Sequence, residues 1–256
     1  MVDKLVISYL RLYFHFSKIP HNNLIGKFLR LPFKLIPKSF KGKILQGYNK
    51  GYRWVLGSGI TSYWLGHYEF FKQQLLVNYV KKGMVAYDLG GHVGFYTLLF
   101  SRLVGENGRV YVFEPNPRNL FYLQGHLKMN EIKNAVILPI GVAKGRNFLF
   151  FDDETNSSMG HFAERKSSLF VPVYDLDFLV SNNLIPPPNV IKIDVEGAEK
   201  EILLGARETI IRYNPLMQIA LHIPEDKEFI FQFLKGLNYQ IGPLANYTDE
   251  IVAKCI

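Results

Sequence analysis

The run Val85–Thr97, V-A-Y-D-L-G-G-H-V-G-F-Y-T, constrains this chain more than any other stretch. It starts as a short apolar strand, carries an acid at Asp88, passes through a glycine-rich turn and enters a helix-compatible segment. Strand, tight turn and helix in that order open a βαβ unit, and repeated βαβ units build a parallel sheet covered by helices. Gly90 and Gly94 let the backbone turn sharply and let a ligand approach closely, because a side chain there would fill the space. Gly91 and His92 lie inside the same turn. Asp88 suits an amino group or a sugar hydroxyl.

The next strand, G-R-V-Y-V-F-E-P-N-P, ends in Glu114, 24 positions after Gly90. A carboxylate at the end of a second strand can accept both hydrogen bonds of a ribose diol, whether the ligand is a dinucleotide or an adenosyl compound. The turn separates these two. A dinucleotide site needs G-x-G-x-x-G, whereas this chain has D-x-G-x-x-x-G, and an acid beside the loop repels a pyrophosphate but suits the cationic amino acid end of S-adenosylmethionine. The methyl donor is favoured over nicotinamide. Pro115, beside Glu114, and Val142, just past the third strand, complete the donor-contacting set with Glu69, which precedes the sheet.

From about residue 80 onward, β-rich apolar runs alternate with helical stretches. The expected strands are Met84–Leu89, Arg109–Phe113, Ala135–Ile140, Val190–Ile193 and Leu216–His222, and the expected helices Tyr96–Val104, Pro117–Asn130 and Ala198–Arg212. This pattern gives an α/β, Rossmann-like domain over residues 81–256. A polar loop around Asp152–Arg165, with Asp153, Asn156, Ser157, Ser158 and His161, and a further strand near Leu169–Val173 interrupt the alternation. Such loops often cover a site.

Residues 1–80 read as a basic, aromatic-rich helical region broken by Pro20, Pro32 and Pro37. The formal charge is +8, yet residues 1–53 hold eleven Lys or Arg against Asp3 alone, so they carry +10 and the remainder −2. Nucleic-acid binding by the catalytic domain is therefore not expected, since basic residues would continue across it. Leu5–Phe16 is too short and too interrupted by Arg11 for a membrane span and lacks a leader's cleavage site. The face formed by Leu24, Ile25, Phe28, Leu29 and Phe33 either docks on the domain or lies on an anionic membrane surface. The single cysteine, Cys255, excludes an intramolecular disulfide and fits a reducing compartment, so the expected location is cytoplasmic, with peripheral membrane contact as the alternative.

The string I-K-I-D-V-E-G-A-E, Ile191–Glu199, together with G-H-Y-E at Gly66–Glu69, the glycine turn, F-E-P-N-P at Phe113–Pro117 and N-S-S-M at Asn156–Met159, resembles the FkbM-type methyltransferases over roughly Gly66–Ala245. The resemblance implies a class I fold with one antiparallel strand in a mostly parallel sheet. It also implies S-adenosylmethionine as donor and O-methylation of a hydroxyl on a saccharide or secondary metabolite. Two departures stand out. Gly91-His92 replaces the usual Ala-Asn, and Ala220 replaces a glutamate that commonly precedes the strand-end histidine by two positions.

Methyl transfer from a sulfonium is an in-line displacement, so the protein mainly orients donor and acceptor, adding a base where the hydroxyl is poorly acidic. Asp194, at the carboxyl end of the fourth expected strand, lies where open α/β sheets bind ligands and is the first candidate to face the transferred methyl. Glu196 and His222 are the further catalytic candidates. Glu199 reads as a helix-start acid stabilised by the helix dipole. No metal ligand is assigned. Alternatives to the methyltransferase are an NAD-dependent dehydrogenase and a non-catalytic membrane-surface protein that retains the fold.

Overall fold

The computed structural model describes residues 36–152, 161–163, 169–243 and 249–256, with the side chains of 151, 152 and 161–163 left aside. The expectations for Leu5–Phe16, the Leu24–Phe33 face and the polar groups of residues 153–160 lie outside the described residues, as does the side chain of His161. The chain divides into two compact units between Tyr68 and Glu69.

In the first unit, β1 (Lys41–Lys43) pairs antiparallel with β2 (Arg53–Val55), placing Gly42 opposite the fully buried Trp54. A single turn at Leu56–Ser58 and a short helix, α1 (Thr61–Leu65), follow. The sequence offers only helical spacing in this region, because three-residue strands are too short to show alternation. Phe40 and Trp64 pack edge to face, with Trp64 indole nitrogen 2.8 Å from where a side chain at Gly42 would begin.

The second unit is built on a seven-stranded sheet. Its strands are β3 (Val85–Leu89), β4 (Arg109–Phe113), β5 (Ala135–Leu138), β10 (Val190–Ile193), β11 (Leu216–Ala220), β12 (Tyr239–Pro243) and β13 (Glu250–Cys255), in the order β12-β13-β11-β10-β3-β4-β5. The five strands expected from sequence form the parallel part. β13 lies antiparallel between β11 and β12 and supplies the expected antiparallel strand. β12 and β13 are not anticipated from the sequence, because Tyr-Gln-Ile-Gly-Pro breaks the apolar pattern with Gly and Pro. Central strands buried on both faces read as continuous apolar runs. In β10 this holds for Val190, Ile191 and Ile193, all at most 1% exposed, but Lys192 interrupts them.

Helices α2 (Phe70–Tyr79), α3 (Phe95–Val104), α4 (Pro117–Met129), α5 (Leu176–Ser181), α6 (Glu199–Gly205), α7 (Arg207–Tyr213) and α8 (Lys227–Gly236) cover the sheet. Leu98, Leu99 and Phe100 of α3 are fully buried, as are Ile202, Leu203 and Ile210 of α6 and α7. The continuous helix expected over Ala198–Arg212 is two helices. Ala206 leaves helical geometry at φ −117°, and Gly205 packs so closely that a side chain would begin 2.9 Å from the Ala143 carbonyl.

A second, four-stranded sheet occupies the stretch between β5 and β10. Its strands β6 (Gly141–Val142), β7 (Asn147–Asp152), β8 (His161–Ala163) and β9 (Leu169–Tyr174) run in the order β6-β9-β7-β8. The described ends of the expected polar loop, Asp152 and His161–Ala163, therefore lie in paired strands. Leu149, Leu169, Val171 and Val173 pack with Ala143 on one face, while Phe148, Phe150 and Phe170 stack together, exposed, on the other. Among the described residues no helix is long and apolar enough to cross a membrane.

Candidate active site

The parallel strands β3, β4, β10 and β11 end side by side, and the polar groups they carry converge there. Nearest the sequence signal is the turn after β3. The N–H groups of Gly90 and Gly91 both donate to the Phe113 carbonyl at 3.0 Å, drawing the turn against the end of β4. Gly90 has φ +77°, and a side chain there would begin 1.9 Å from the Asp194 carbonyl. The glycine is required by the neighbouring strand end as well as by the turn. Gly91 lies against Val112, 2.2 Å from where its side chain would begin. His126, on α4, binds the Val93 carbonyl at 2.7 Å, and burial pushes its imidazole down to about 4, so it is neutral and donates from Nδ1. Gly94 then caps α3 in the left-handed conformation.

Glu114 closes this half of the site. Its Oε2 accepts the His92 N–H at 2.7 Å and its Oε1 the Asn116 N–H at 2.8 Å. Burial pushes its carboxyl up to about 7 despite these hydrogen bonds, which favour the ionised form. The run F-E-P-N-P explains the geometry. Asn116 caps α4 by accepting the N–H groups of Arg118 and Asn119, with Pro117 at the first helical position. Pro115, half-buried, holds the bend between them. Val142 is buried in the apolar cluster with Tyr87, Phe113 and Leu176 rather than among the polar groups.

Asp88 is fully buried. Thr97 donates to its Oδ2 at 2.7 Å and Lys192 Nζ lies 3.5 Å from its Oδ1. The register of β3 and β10 places Asp88 directly opposite Lys192, and strand partners project to the same side. The lysine also reaches Asp194 Oδ2 at 3.3 Å and stands 5.2 Å from the Tyr96 ring centre. Burial favours a neutral amine at Lys192, but Asp194 and Asp88 outweigh it and hold the group charged. The two acids diverge. Burial raises Asp88 with only partial relief from Lys192, whereas at Asp194 the effect of burial is overcome by Lys192, Lys72 and His222, which lower it.

Glu196 and Gly197 both have positive φ, 56° and 110°, which turns the chain after β10 so that Asp194 and Glu196 face His222. His222, just past β11, places Nε2 3.6 Å from Asp194 Oδ1 and 3.4 Å from Glu196 Oε2. Its Nδ1 lies 2.7 Å from Glu199 Oε1. Burial lowers the basicity of His222, but the Glu199 hydrogen bond and the charges of Glu199, Glu196 and Asp194 lift it to about 9. Glu199 is only 2% exposed and also accepts the Gly197 N–H. The expectation of a simple helix-start acid gives way to a buried acceptor that fixes the histidine ring.

Glu69, in a left-handed turn before α2, pairs with Lys72 at 2.6 Å and accepts the Tyr96 hydroxyl at 2.7 Å. Lys72 also contacts Glu250 of β13, whose carboxyl burial raises to about 7 with Lys72 opposing. Ala220 is the strand partner of Glu250. A carboxylate therefore lies on the strand beside position 220. Lys72, Lys192 and Glu250 are absent from the sequence reading. The only signal available was a lysine inside an otherwise apolar strand. His67 falls in the first unit.

Residues 88–241 match the methyltransferase FkbM domain family. The chain is 24% identical over 186 residues to the hexuronic acid methyltransferase AglP of Haloferax volcanii, covering 71% of this chain and 74% of that protein. It is also 24% identical over 141 residues to Methyltransferase 1 of Beauveria bassiana, covering 46% of this chain and 56% of the other. Among solved structures, the FkbM methyltransferase of Methylobacillus flagellatus superposes with a TM-score of 0.52 at 20% identity, over 67% of this chain and 43% of that longer one. The strand order, the glycine turn with its paired acids and a family match spanning more than half of the sequence agree, and the chain belongs to the FkbM-type family of class I S-adenosylmethionine-dependent methyltransferases.

Proposed function

We propose that this protein transfers a methyl group from S-adenosylmethionine to a hydroxyl oxygen of a saccharide, with a hydroxylated small metabolite as the wider substrate class. The observation that carries this reading is the position of Lys192, which ties Asp88 beneath the glycine turn to Asp194 at the acceptor side. One buried lysine therefore fixes the spacing of two strand ends, as an in-line displacement requires. The relative named for hexuronic acid supports a sugar acceptor.

The donor supplies an electrophilic methyl group on a sulfonium centre. Glu114 suits the ribose diol, since each of its oxygens has a second lone pair beyond the one engaged by His92 or Asn116. Asp88 Oδ1 faces Lys192 Nζ at 3.5 Å, longer than an ordinary hydrogen bond, and is an acceptor in keeping with the donor's cationic end. Glu69, held by Lys72 and Tyr96, borders the same strand ends. On the acceptor side, Asp194 orients the hydroxyl and Glu196 takes its proton as the oxygen–carbon bond forms and the sulfur–methyl bond breaks, leaving S-adenosylhomocysteine, while His222 hydrogen-bonds the acceptor.

Calorimetric titration with S-adenosylhomocysteine and, separately, NADH tests the donor. Micromolar binding of the first, lost in Glu114→Ala and Asp88→Ala, is expected, and binding of NADH alone would overturn the reading. Transfer of labelled methyl from S-adenosylmethionine to a panel of uronic acids, neutral sugars and phenols then tests the acceptor.

A further inference from the structure

Asp194, Glu196 and His222 each present one ligand atom, and these three atoms lie within 4.8 Å of one another. Nε2 stands 3.4 Å and 3.6 Å from the two carboxylate oxygens. Charge-assisted N–H···O bonds are about 2.7–2.9 Å, so neither contact is a well-formed hydrogen bond. Ligands held about 2.0–2.2 Å from one ion stand roughly 2.8–3.6 Å apart at adjacent positions, which matches both separations.

The surroundings of the trio strengthen this. Asp194 uses its other oxygen, Oδ2, for Lys192, which leaves Oδ1 turned to the histidine. Glu196 receives no hydrogen bond from any described residue. Glu199, outside the trio and buried, takes the Nδ1 side of His222 and directs Nε2 at the two acids. A carboxylate on the far nitrogen is the usual outer partner of a metal-binding histidine, fixing both tautomer and ring orientation. Acids also outnumber cations among the described residues here, with Asp88, Asp194, Glu196, Glu199, Glu69 and Glu250 set against Lys192, Lys72 and His222.

We propose that Asp194, Glu196 and His222 bind a divalent cation of the kind that takes mixed oxygen and nitrogen ligands, such as Mn²⁺ or Zn²⁺. The ion replaces the proton on Nε2, and its remaining positions take water or the oxygens of the acceptor, lowering the pKa of a bound hydroxyl. It deepens the acceptor side of the reading above, rests on that reading for its role in the reaction, and supplies the metal ligands that sequence patterning does not assign.

The test is a titration of the full chain, stripped with chelator, with MnCl₂, following the signal of free Mn²⁺ by electron paramagnetic resonance. One Mn²⁺ per chain is expected, displaced by excess Zn²⁺, with affinity weakened at least tenfold in Glu196→Gln and in His222→Ala. Glu199→Gln, which leaves all three ligands in place, should weaken binding about 10–100-fold. Retained heat of S-adenosylhomocysteine binding in each variant reports an intact fold. Absence of stoichiometric Mn²⁺ binding overturns the proposal whether or not S-adenosylhomocysteine binds, and so does Mn²⁺ binding unchanged in Glu196→Gln and His222→Ala. A chain that binds Mn²⁺ through these residues but not S-adenosylhomocysteine upholds the metal site and counts against the donor assignment alone.

Discussion

Gly90→Ala separates two explanations of the glycine turn. If the glycine is needed so that a ligand can approach, the substitution weakens donor binding and leaves the unliganded fold unharmed. The geometry instead puts the new methyl group 1.9 Å from the Asp194 carbonyl, a backbone atom, at a residue with φ +77°. A left-handed non-glycine residue costs about 1–2 kcal/mol, and forcing an extra carbon into a packed site costs about 1–3 kcal/mol more. The expected loss is therefore about 2–5 kcal/mol without any ligand. Gly94→Ala is the internal comparison. Its φ is +93°, but the clash at 2.7 Å is with the end of the Leu123 side chain, which can move. It should lose mainly the backbone part, about 1–2 kcal/mol. Urea unfolding of both variants, followed by circular dichroism, measures the difference. A Gly90→Ala protein within about 1 kcal/mol of the parent, or no less stable than Gly94→Ala, refutes the packing argument and restores the ligand-approach explanation.

Lys192→Met removes the cation between Asp88 and Asp194 and should cost about 3–5 kcal/mol at neutral pH, because buried charges lose their partner; the deficit should shrink as pH falls and Asp88 takes up a proton, and a pH-independent deficit in urea unfolding would contradict the assignment. Glu114, faced by the His92 and Asn116 N–H groups, Asn119 and the charge of Asp88, is raised from 4.5 to about 7. The folded chain therefore keeps a proton that the unfolded chain releases between those values, so this group's contribution to stability declines as pH rises through the window, while binding of the ribose diol improves. Comparing S-adenosylhomocysteine affinity from pH 5.5 to 8 in the parent and in Glu114→Gln checks this, since the glutamine should abolish the dependence. His126→Phe deletes the bond to the Val93 carbonyl and should cost about 1–3 kcal/mol with weaker donor binding; unchanged melting and binding would remove His126 from the support of the turn.

Where chemistry is local, the sequence carried it. Asp88, the glycines and Glu114 lie on contiguous strand-and-turn runs whose residue types reveal their backbone geometry, and the five parallel strands follow from their apolar runs. Ile191–Glu199 likewise placed Asp194 and Glu196. The missing pieces are those set by pairing across strands. Lys192 becomes important because register puts it opposite Asp88, and Glu250 because β13 inserts beside β11. Glu199 looked like an ordinary helix-start acid because its partner, His222, is 23 residues away. β7 and β8 escaped notice because Phe148–Phe151 is a short continuous apolar run without alternation and three-residue β8 is too short to show one.

The contact between Lys72 and Glu250 joins residues 178 positions apart, nearly the two ends of the second unit. Closing so long a loop carries an entropic cost that is repaid only once the intervening strands are in place. Within the donor turn, the contacts of Thr97 with Asp88 and of His126 with the Val93 carbonyl span 9 and 33 positions and can form earlier, whereas its contacts with β10 wait for strand pairing. The contact of Lys72 with Glu250 is therefore expected among the last to form, and recovery of methyl transfer should lag recovery of the secondary-structure signal when the protein is refolded from denaturant.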